Sequence, residues 1–287
     1  MAKTKIELKN VSFTYQPATP MEYQALSNIN LKIADGSFTV LVGQTGSGKS
    51  TLVNLIDALI RPTSGQIIVN NRFLNSQTSK KEQENFRQNI GFVFQFPERQ
   101  LFAQTVREDL EFGPRNLGWN QSKIDEAVIM ALETVQLDPS VLNVSPFSLS
   151  GGQKRRTAIA GVLAMNPEVL ILDEPAVGLD SLSIKQLLNI LTKLNQRGVT
   201  IIMITHYLEM ITSLVTQIVA LHNGKITFDG SPQDFFKSKS LLKKSKLLAP
   251  KSIQISQEIG LNGLPLSIDE LSIELIKQLK NGGRANE

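Results

Sequence analysis

In the N-terminal part of the chain, apolar and polar positions alternate over short spans broken by turn-forming residues. Ile6-Glu7-Leu8 and Val11-Ser12-Phe13 read as edge-strand material, and Ala34-Asp35-Gly36 reads as a hairpin turn. An apolar run at 38–42 then stops directly at Gly43. Over 49–60, Leu52, Val53, Leu55, Ile56, Leu59 and Ile60 recur at helical spacing, until Pro62 and Gly65 end the pattern. Between about 99 and 165 polar helical patterns dominate. Over 122–137, Ser122 is placed to cap a helix whose one face is Ile124, Val128, Ala131, Leu132 and Val135, so this region reads as a helical insertion. Strand signals return at 169–172, 199–204 and 218–221, each after a helix-length segment, which is the rhythm of βα units and a parallel sheet.

The stretch 236–251 holds six lysines and no acid, with serine interleaved and Pro250 near its end. It reads as a solvated linker, with contact to anionic lipid headgroups as the alternative. After it, Ser267 and Glu270 have the spacing of a capping box. Ile268, Leu271, Leu275, Ile276 and Leu279 make an apolar helix face that Gly282-Gly283 terminates. The expected organisation is one main domain over 1–235, with its helical part at about 97–165, and a linker with a small helical module over 236–287.

Composition narrows the class without naming it. With 287 residues, 41% of them hydrophobic and 20% charged, the chain can bury one large core. No run approaches the 18 or more apolar residues of a membrane-spanning helix. The opening MAKTKIELKN has no apolar core of a secretion signal, so none is expected. The absence of cysteine excludes disulfides, thiolate zinc sites and cysteine nucleophiles, and fits a reducing compartment. A net charge of +4 suits phosphate ligands, nucleic acid or a membrane surface, and suits an ordinary solvated surface equally well.

GQTGSGKST, from Gly43 to Thr51, matches G-x-x-x-x-G-K-[ST] with a strand before it and a helix after it. The alternative is a Gly/Ser loop with a chance lysine, but a random match in this length is roughly a one-per-cent event. The residues Gly43, Gln44, Thr45, Gly46, Ser47 and Gly48 let backbone N–H groups point inward at phosphate, beside the positive end of a helix. Lys49 reaches the β- and γ-phosphates, Ser50 ligates Mg²⁺, and Thr51 closes the motif. Kinases, GTPases, helicases and transporter motors all use such a loop.

VLILDE, ending at Asp173 and Glu174, is an apolar strand closing on two carboxylates, where Asp173 can hold Mg²⁺ and Glu174 can polarise a water in line with the γ-phosphate. The plainer reading is a strand end and turn. LSGGQ, containing Ser150, Gly151, Gly152 and Gln153, precedes Lys154-Arg155-Arg156 and a helical stretch, which makes a second glycine-bearing helix N-terminus suited to an anion. A simple helix cap is the competing reading.

The order phosphate loop, Gln95, LSGGQ, Asp173-Glu174, Gly178-Leu179-Asp180 and His206 resembles that of the ABC ATPase family over about 6–234. The fold implied is α/β: a P-loop NTPase (ABC ATPase) core with an N-terminal antiparallel β subdomain, a helical subdomain and a small C-terminal helical module. By this resemblance Tyr15 stacks on adenine, and Gln95 joins the Mg²⁺ site to the helical subdomain. Ser150 and Gly152 touch the γ-phosphate held by a partner subunit, Asp180 crosses the dimer interface and His206 hydrogen-bonds the γ-phosphate. His222, in His-Asn-Gly, reads as structural. ATP and Mg²⁺ are the implied ligands, with Glu174, His206 and Gln95 as catalytic residues.

FQFPERQLF at 94–102, TVREDLEFGPRNLG at 105–118, SPFSLSGGQKRR and the tail LNGLPLSIDELSIELIKQLKNGG look like the ATPase subunits of energy-coupling factor transporters. That resemblance implies ATP-driven uptake of vitamins or some metal ions from the cytoplasmic face of the cell membrane. The implied partners are a second ATPase subunit, paralogous or identical, a transmembrane scaffold and a substrate-binding membrane protein; no nucleic acid is implied. Ala176-Val177 departs from the usual Thr/Ala-Ala after Asp-Glu-Pro, and Tyr207 after His206 is a second departure. Alternatives are another ABC importer motor, a soluble ABC ATPase acting on nucleic acid, and a metabolite kinase, which would lack LSGGQ.

Overall fold

The chain begins with two long strands, β1 (Thr4–Tyr15) and β2 (Tyr23–Ala34), followed by β3 (Phe38–Val42) and α1 (Lys49–Ile56). Next come β4 (Ser64–Val69), β5 (Arg72–Leu74), α2 (Lys80–Arg87) and β6 (Ile90–Val93). The helices α3 (Val106–Asn116), α4 (Gln121–Thr134) and α5 (Gly151–Leu163) lead to β7 (Val169–Asp173), α6 (Ser181–Gln196), β8 (Thr200–Ile204), β9 (Gln217–His222) and β10 (Lys225–Gly230). The C-terminal part is helical, with α7 (Pro232–Lys237), α8 (Lys239–Ser245), α9 (Lys251–Glu258) and α10 (Ile268–Gly282). The structure, a computed structural model, describes residues 3–208, 212, 214–261 and 263–282, so Gly283 and the side chain of Leu279 lie outside what is described.

The first sheet is antiparallel, ordered β2-β1-β4-β5. Ile6, Leu8 and Val11 pair with Ile33, Leu31 and Ile29, and all six are buried. Residues 6–8 and 11–13 therefore belong to one interior strand, not to edge strands. Lys9 and Asn10 only shift the register between them, with Asn10 at φ +51°. The expected hairpin at 34–36 is a crossover instead, because β2 and β3 belong to different sheets. Gly36 takes φ +67° there, and Ser37 Oγ donates to Ala34 O at 2.7 Å.

The second sheet is ordered β10-β9-β3-β8-β7-β6, parallel except for β10. FTVLV in β3 and TIIMI in β8 are buried throughout, which is why neither alternates. The two faces of this sheet feed two cores. Val40, Leu170 and Leu172 look toward α3, α4 and α5, while Leu41, Val169 and Ile171 look toward α1 and the first sheet.

Three local boundaries differ from the sequence reading. α1 ends at Ile56 because Ala58 turns left-handed at φ +53°. α4 begins at Gln121, where Asn120 Oδ1 accepts from Lys123 N–H at 2.9 Å, so Asn120 and not Ser122 is the cap. The stretch read as a linker is the end of α7 followed by α8, with Phe235, Phe236 and Leu247 buried in the same core as the helical subdomain. Glu270 N–H does donate to Ser267 Oγ at 3.2 Å, but the Glu270 carboxylate accepts from Leu266 N–H, so the box is displaced by one residue.

Candidate functional site

Gly43 follows β3 and begins the turn into α1. A β-carbon on Gly43 would stand 2.3 Å from Leu221 O, and one on Gly48, at φ +106°, 2.6 Å from Leu26 Cδ2. Only glycine fits at either point. Gly46, at φ +79°, has nothing within 4 Å of its β-carbon position, which leaves its open side to a ligand. Behind the loop, Gly224 N–H donates to Ser47 O at 3.1 Å, so the turn between β9 and β10 braces the loop.

Lys49 opens α1 and folds back on the loop, donating to Gly43 O at 2.7 Å and Gln44 O at 3.0 Å. Burial pushes its pKa down, while Glu174 and Asp173 push it up. Asp173 ends β7, and burial raises its pKa against the pull of Lys49 and of a hydrogen bond from Ser50. Glu174 follows at φ +48°, its N–H donating to Ile204 O at 2.9 Å. Burial first, and Asp173 second, push the Glu174 carboxyl up to about 7. His206 Nε2 lies 3.1 Å from Glu174 Oε1. Burial and Lys49 hold the imidazole pKa below its usual value, so at neutral pH this close contact is made by a neutral ring.

Thr45, Gly46, Gly48, Lys49, Ser50, Thr51, Gln95, Asp173, Glu174 and His206 line one cavity of about 470 Å³. Gln95, placed just after β6, reaches the same wall. Tyr15 stands at the margin, its hydroxyl 3.2 Å from Thr51 Oγ1. The Gln44 side chain points elsewhere and donates to Lys244 O at 3.0 Å, at the end of α8. Tyr23, Ala25 and Ile204 complete the wall. No motif announced them; the only clue is that Tyr23 is the cross-strand partner of Tyr15.

The residues fit a nucleotide and its cation. Ser47 Oγ is buried without a partner inside the loop, and the Ser50 hydroxyl and Asp173 carboxylate are hard oxygen donors side by side. Among the described residues no group of three or more His, Cys, Asp and Glu could hold a metal alone. That suits a cation whose shell is completed by phosphate and water.

Ser150, Gly151, Gly152 and Gln153 do not reach this cavity. Ser150 caps α5 in a full capping box, with Gln153 N–H donating to its Oγ at 3.3 Å and Gln153 Oε1 accepting from Ser150 N–H at 3.0 Å. Asp180 caps α6, accepting from Ser183 N–H at 2.7 Å, and is likewise absent from the cavity wall. Both helix ends are exposed, and they are neighbours: a β-carbon on Gly152 would lie 3.9 Å from Ser183 Oγ.

A larger groove of about 860 Å³ runs between α2, α3 and α5, bordered by Leu101, Phe102 and Phe112. Phe102 and Phe112 are more than half exposed and meet edge to face at 5.0 Å.

Comparison with known proteins agrees with this geometry. The family model described as ABC transporter matches residues 26–177. The energy-coupling factor transporter ATP-binding protein EcfA2 of Enterococcus faecalis is 42% identical over 286 residues, covering 98% of this chain and 99% of that protein. The structure of cbiO1 from Clostridium perfringens, part of the ABC transporter complex cbiONQ, superposes with a TM-score of 0.74 at 32% identity, over 90% of this chain and 100% of that one. A dimeric post-hydrolysis state of the ATP-binding cassette MJ0796, bound to ADP and Pi, superposes with a TM-score of 0.69 at 31% identity, over 79% and 98%. The chain belongs to the ABC transporter ATP-binding family, among the ATP-binding proteins of energy-coupling factor transporters.

Proposed function

We propose that this chain is the ATP-hydrolysing motor of an energy-coupling factor importer, paired with a second ATPase subunit against membrane partners that carry a vitamin or related micronutrient. The observation that carries this reading is the split of the site. The phosphate loop, Gln95, Asp173, Glu174 and His206 share one cavity, while the second glycine-bearing helix tip lies outside it, exposed. One bound ATP uses both kinds of surface only if two subunits meet head to tail. The related cassette MJ0796 is a dimer in its ADP and Pi complex.

In this mechanism the loop N–H groups and the α1 N-terminus receive the phosphates, Lys49 leaves Gly43 O and Gln44 O for the γ-phosphate, and Tyr15 takes the adenine. Ser50 and Asp173, with Gln95, would hold Mg²⁺, which would neutralise phosphate charge. Glu174 accepts the proton of the attacking water, and an acid constant near the working pH suits that role. His206, 3.1 Å from the Glu174 carboxylate, meets the γ-phosphate. This chain's Ser150 and Gly152 close on the phosphate held by the neighbour, with Asp180 at the same seam. A charge-assisted hydrogen bond contributes about 1.5–3 kcal/mol, and driving an equilibrium from 1:99 to 99:1 takes about 5.5 kcal/mol. Two or three such contacts per ATP, made only on closure, are enough.

The groove beside Phe102 and Phe112 presents apolar surface and is the surface we assign to the membrane scaffold. No described helix is long and apolar enough to cross a membrane, which fits peripheral attachment at the cytoplasmic face. To test the reading, Glu174→Gln chain is mixed with its partner ATPase and sedimented with and without ATP. The complex is expected to form only with ATP and to be lost on adding Ser150→Arg. A lone protomer hydrolysing ATP at the full rate, indifferent to Ser150→Arg, overturns it.

A further inference from the structure

Three residues beyond the signature glycines, Arg155 is enclosed where three functional segments meet. Its side chain is only 6% exposed. Nη1 donates to Val177 O at 3.0 Å, in the centre of the loop that runs from Glu174 to Asp180. That loop is a pair of tight turns, Val177 N–H to Glu174 O at 3.2 Å and Leu179 N–H to Ala176 O at 3.2 Å, so fixing Val177 fixes both ends. Nε of Arg155 lies 3.9 Å from Glu98 Oε2, in the 3-10 turn Pro97–Gln100 that follows Gln95. The same turn leans on the loop, since a β-carbon on Gly178 would stand 3.8 Å from the Phe96 ring.

The unusual feature is what these groups lack. Arg155 Nε and Nη2 and Glu98 Oε2 are all sealed from solvent, and none has a hydrogen-bond partner. A buried charge in that condition is costly. A charge-assisted N–H···O bond closes at about 2.7–2.9 Å, so the 3.9 Å gap stops roughly an ångström short. A short slide of the 3-10 turn toward α5 completes the pair. Closing that gap would pair both groups and lower the electrostatic cost.

We infer that Arg155 is a positioning residue for hydrolysis: it ties the signature helix α5 to the loop bearing Glu174, and it takes up Glu98 when the segment after Gln95 moves. The guanidinium fork makes this possible, because one edge holds the Val177 carbonyl while the other receives a carboxylate. Motion of the helical subdomain then reaches Glu174 through one side chain. The inference rests on the two-subunit reading above, in which that subdomain moves on closure.

The test uses the full-length chain purified with the proteins that accompany it in membranes. ATP hydrolysis and thermal unfolding are measured for Arg155→Met, Arg155→Lys, Glu98→Gln and the Arg155→Met/Glu98→Gln double variant. Arg155→Met is expected to lower kcat about 10- to 100-fold, the weight of one charge-assisted hydrogen bond, with KM for ATP within about twofold. Arg155→Lys should recover part of that loss, Glu98→Gln should lose less, and the double variant should be no slower than Arg155→Met alone. Wild-type kcat in Arg155→Met, or effects that multiply in the double variant, overturns the inference, as does a fall in kcat matched by an equal loss of folded protein. If Arg155→Met does not fold, Glu98→Gln decides, and an unchanged kcat there overturns it. Failure of the two-subunit reading shows separately, as full-rate ATP hydrolysis by a lone protomer that Ser150→Arg leaves unchanged.

Discussion

Glu174 holds a left-handed backbone angle directly after the carboxylate that serves the cation, and its carboxyl meets His206 at 3.1 Å. Glu174→Gln keeps the shape and the backbone but removes the proton acceptor. Turnover should fall about 10²–10⁴-fold, the usual weight of a general base, while nucleotide binding measured by fluorescence titration stays intact. A variant that turns over normally removes Glu174 from the role. Asp57 gives a pH signal of a different kind. It follows α1, is 1% exposed, and burial pushes its carboxyl up to about 7 despite Arg87 Nη2 at 3.2 Å. A folded-state pKa above the unfolded value stabilises the fold at low pH, and that stability is lost as pH rises from about 4 to about 7. Asp57→Asn removes the loss, so from pH 5 to pH 8 the variant should gain about 2–3 kcal/mol on the wild type. Urea melts at both values check this, and parallel pH profiles refute it. At this scale the phosphate loop, Asp173, Glu174 and His206 were legible because their chemistry fixes residue type and spacing together. Tyr23, Ala25 and Ile204 were not, since a strand residue enters a cavity through its pairing and not through its identity. Nor was the orientation of Gln44, whose motif position says phosphate while its side chain serves α8.

Elements with a strong local signal formed where the sequence placed them, and those with a tertiary cause did not. The loop-to-helix start at Lys49 and the glycine-bearing helix start after Ser150 are local events, and both helices begin there. The division of α7 and α8 is not local. At six and seven residues, each is too short to display a helical period, and their lysines mask the apolar residues between them. Their order comes from Phe235 and Phe236, which meet at 5.4 Å beneath β10, with Phe228 adding an edge contact to Phe235 at 5.4 Å. Truncating a buried phenylalanine costs about 3–5 kcal/mol, whereas in a solvated linker it costs nothing measurable. Phe236→Ala should therefore shift the urea midpoint strongly while the slope stays unchanged. An unshifted midpoint would return the stretch to the linker reading. The edge-strand expectation for 6–8 and 11–13 went wrong for a related reason, because a strand's place in a sheet is decided by partners far along the chain.

At the scale of the molecule, strand order was beyond reach of the sequence: β3 pairs with β8 and β9, whose residues lie more than 150 positions later. That long closure ties the phosphate loop to the chain's far half. The core on one face of the parallel sheet includes Val40 of β3, Leu132 of α4, Leu172 of β7, and then Phe236 of α7, Ile253 of α9 and Leu266 between α9 and α10. The segment after 235 thus packs into the same apolar cluster as the helical subdomain, and Thr212 Oγ1 donates to Leu266 O across it. Separate domains would have separate cores and unfold separately. A shared one predicts a single transition for the full-length chain, followed together by circular dichroism and by fluorescence of Trp119, which packs against this core. The same packing predicts that ending the chain after 235 exposes the apolar bed of Ile253 and Leu266 and lowers stability, even though no residue of the nucleotide cavity is removed. Two resolved transitions in the full chain, or a truncated chain as stable as the whole, would show that the C-terminal helices form a unit of their own and that the shared core is not what holds them.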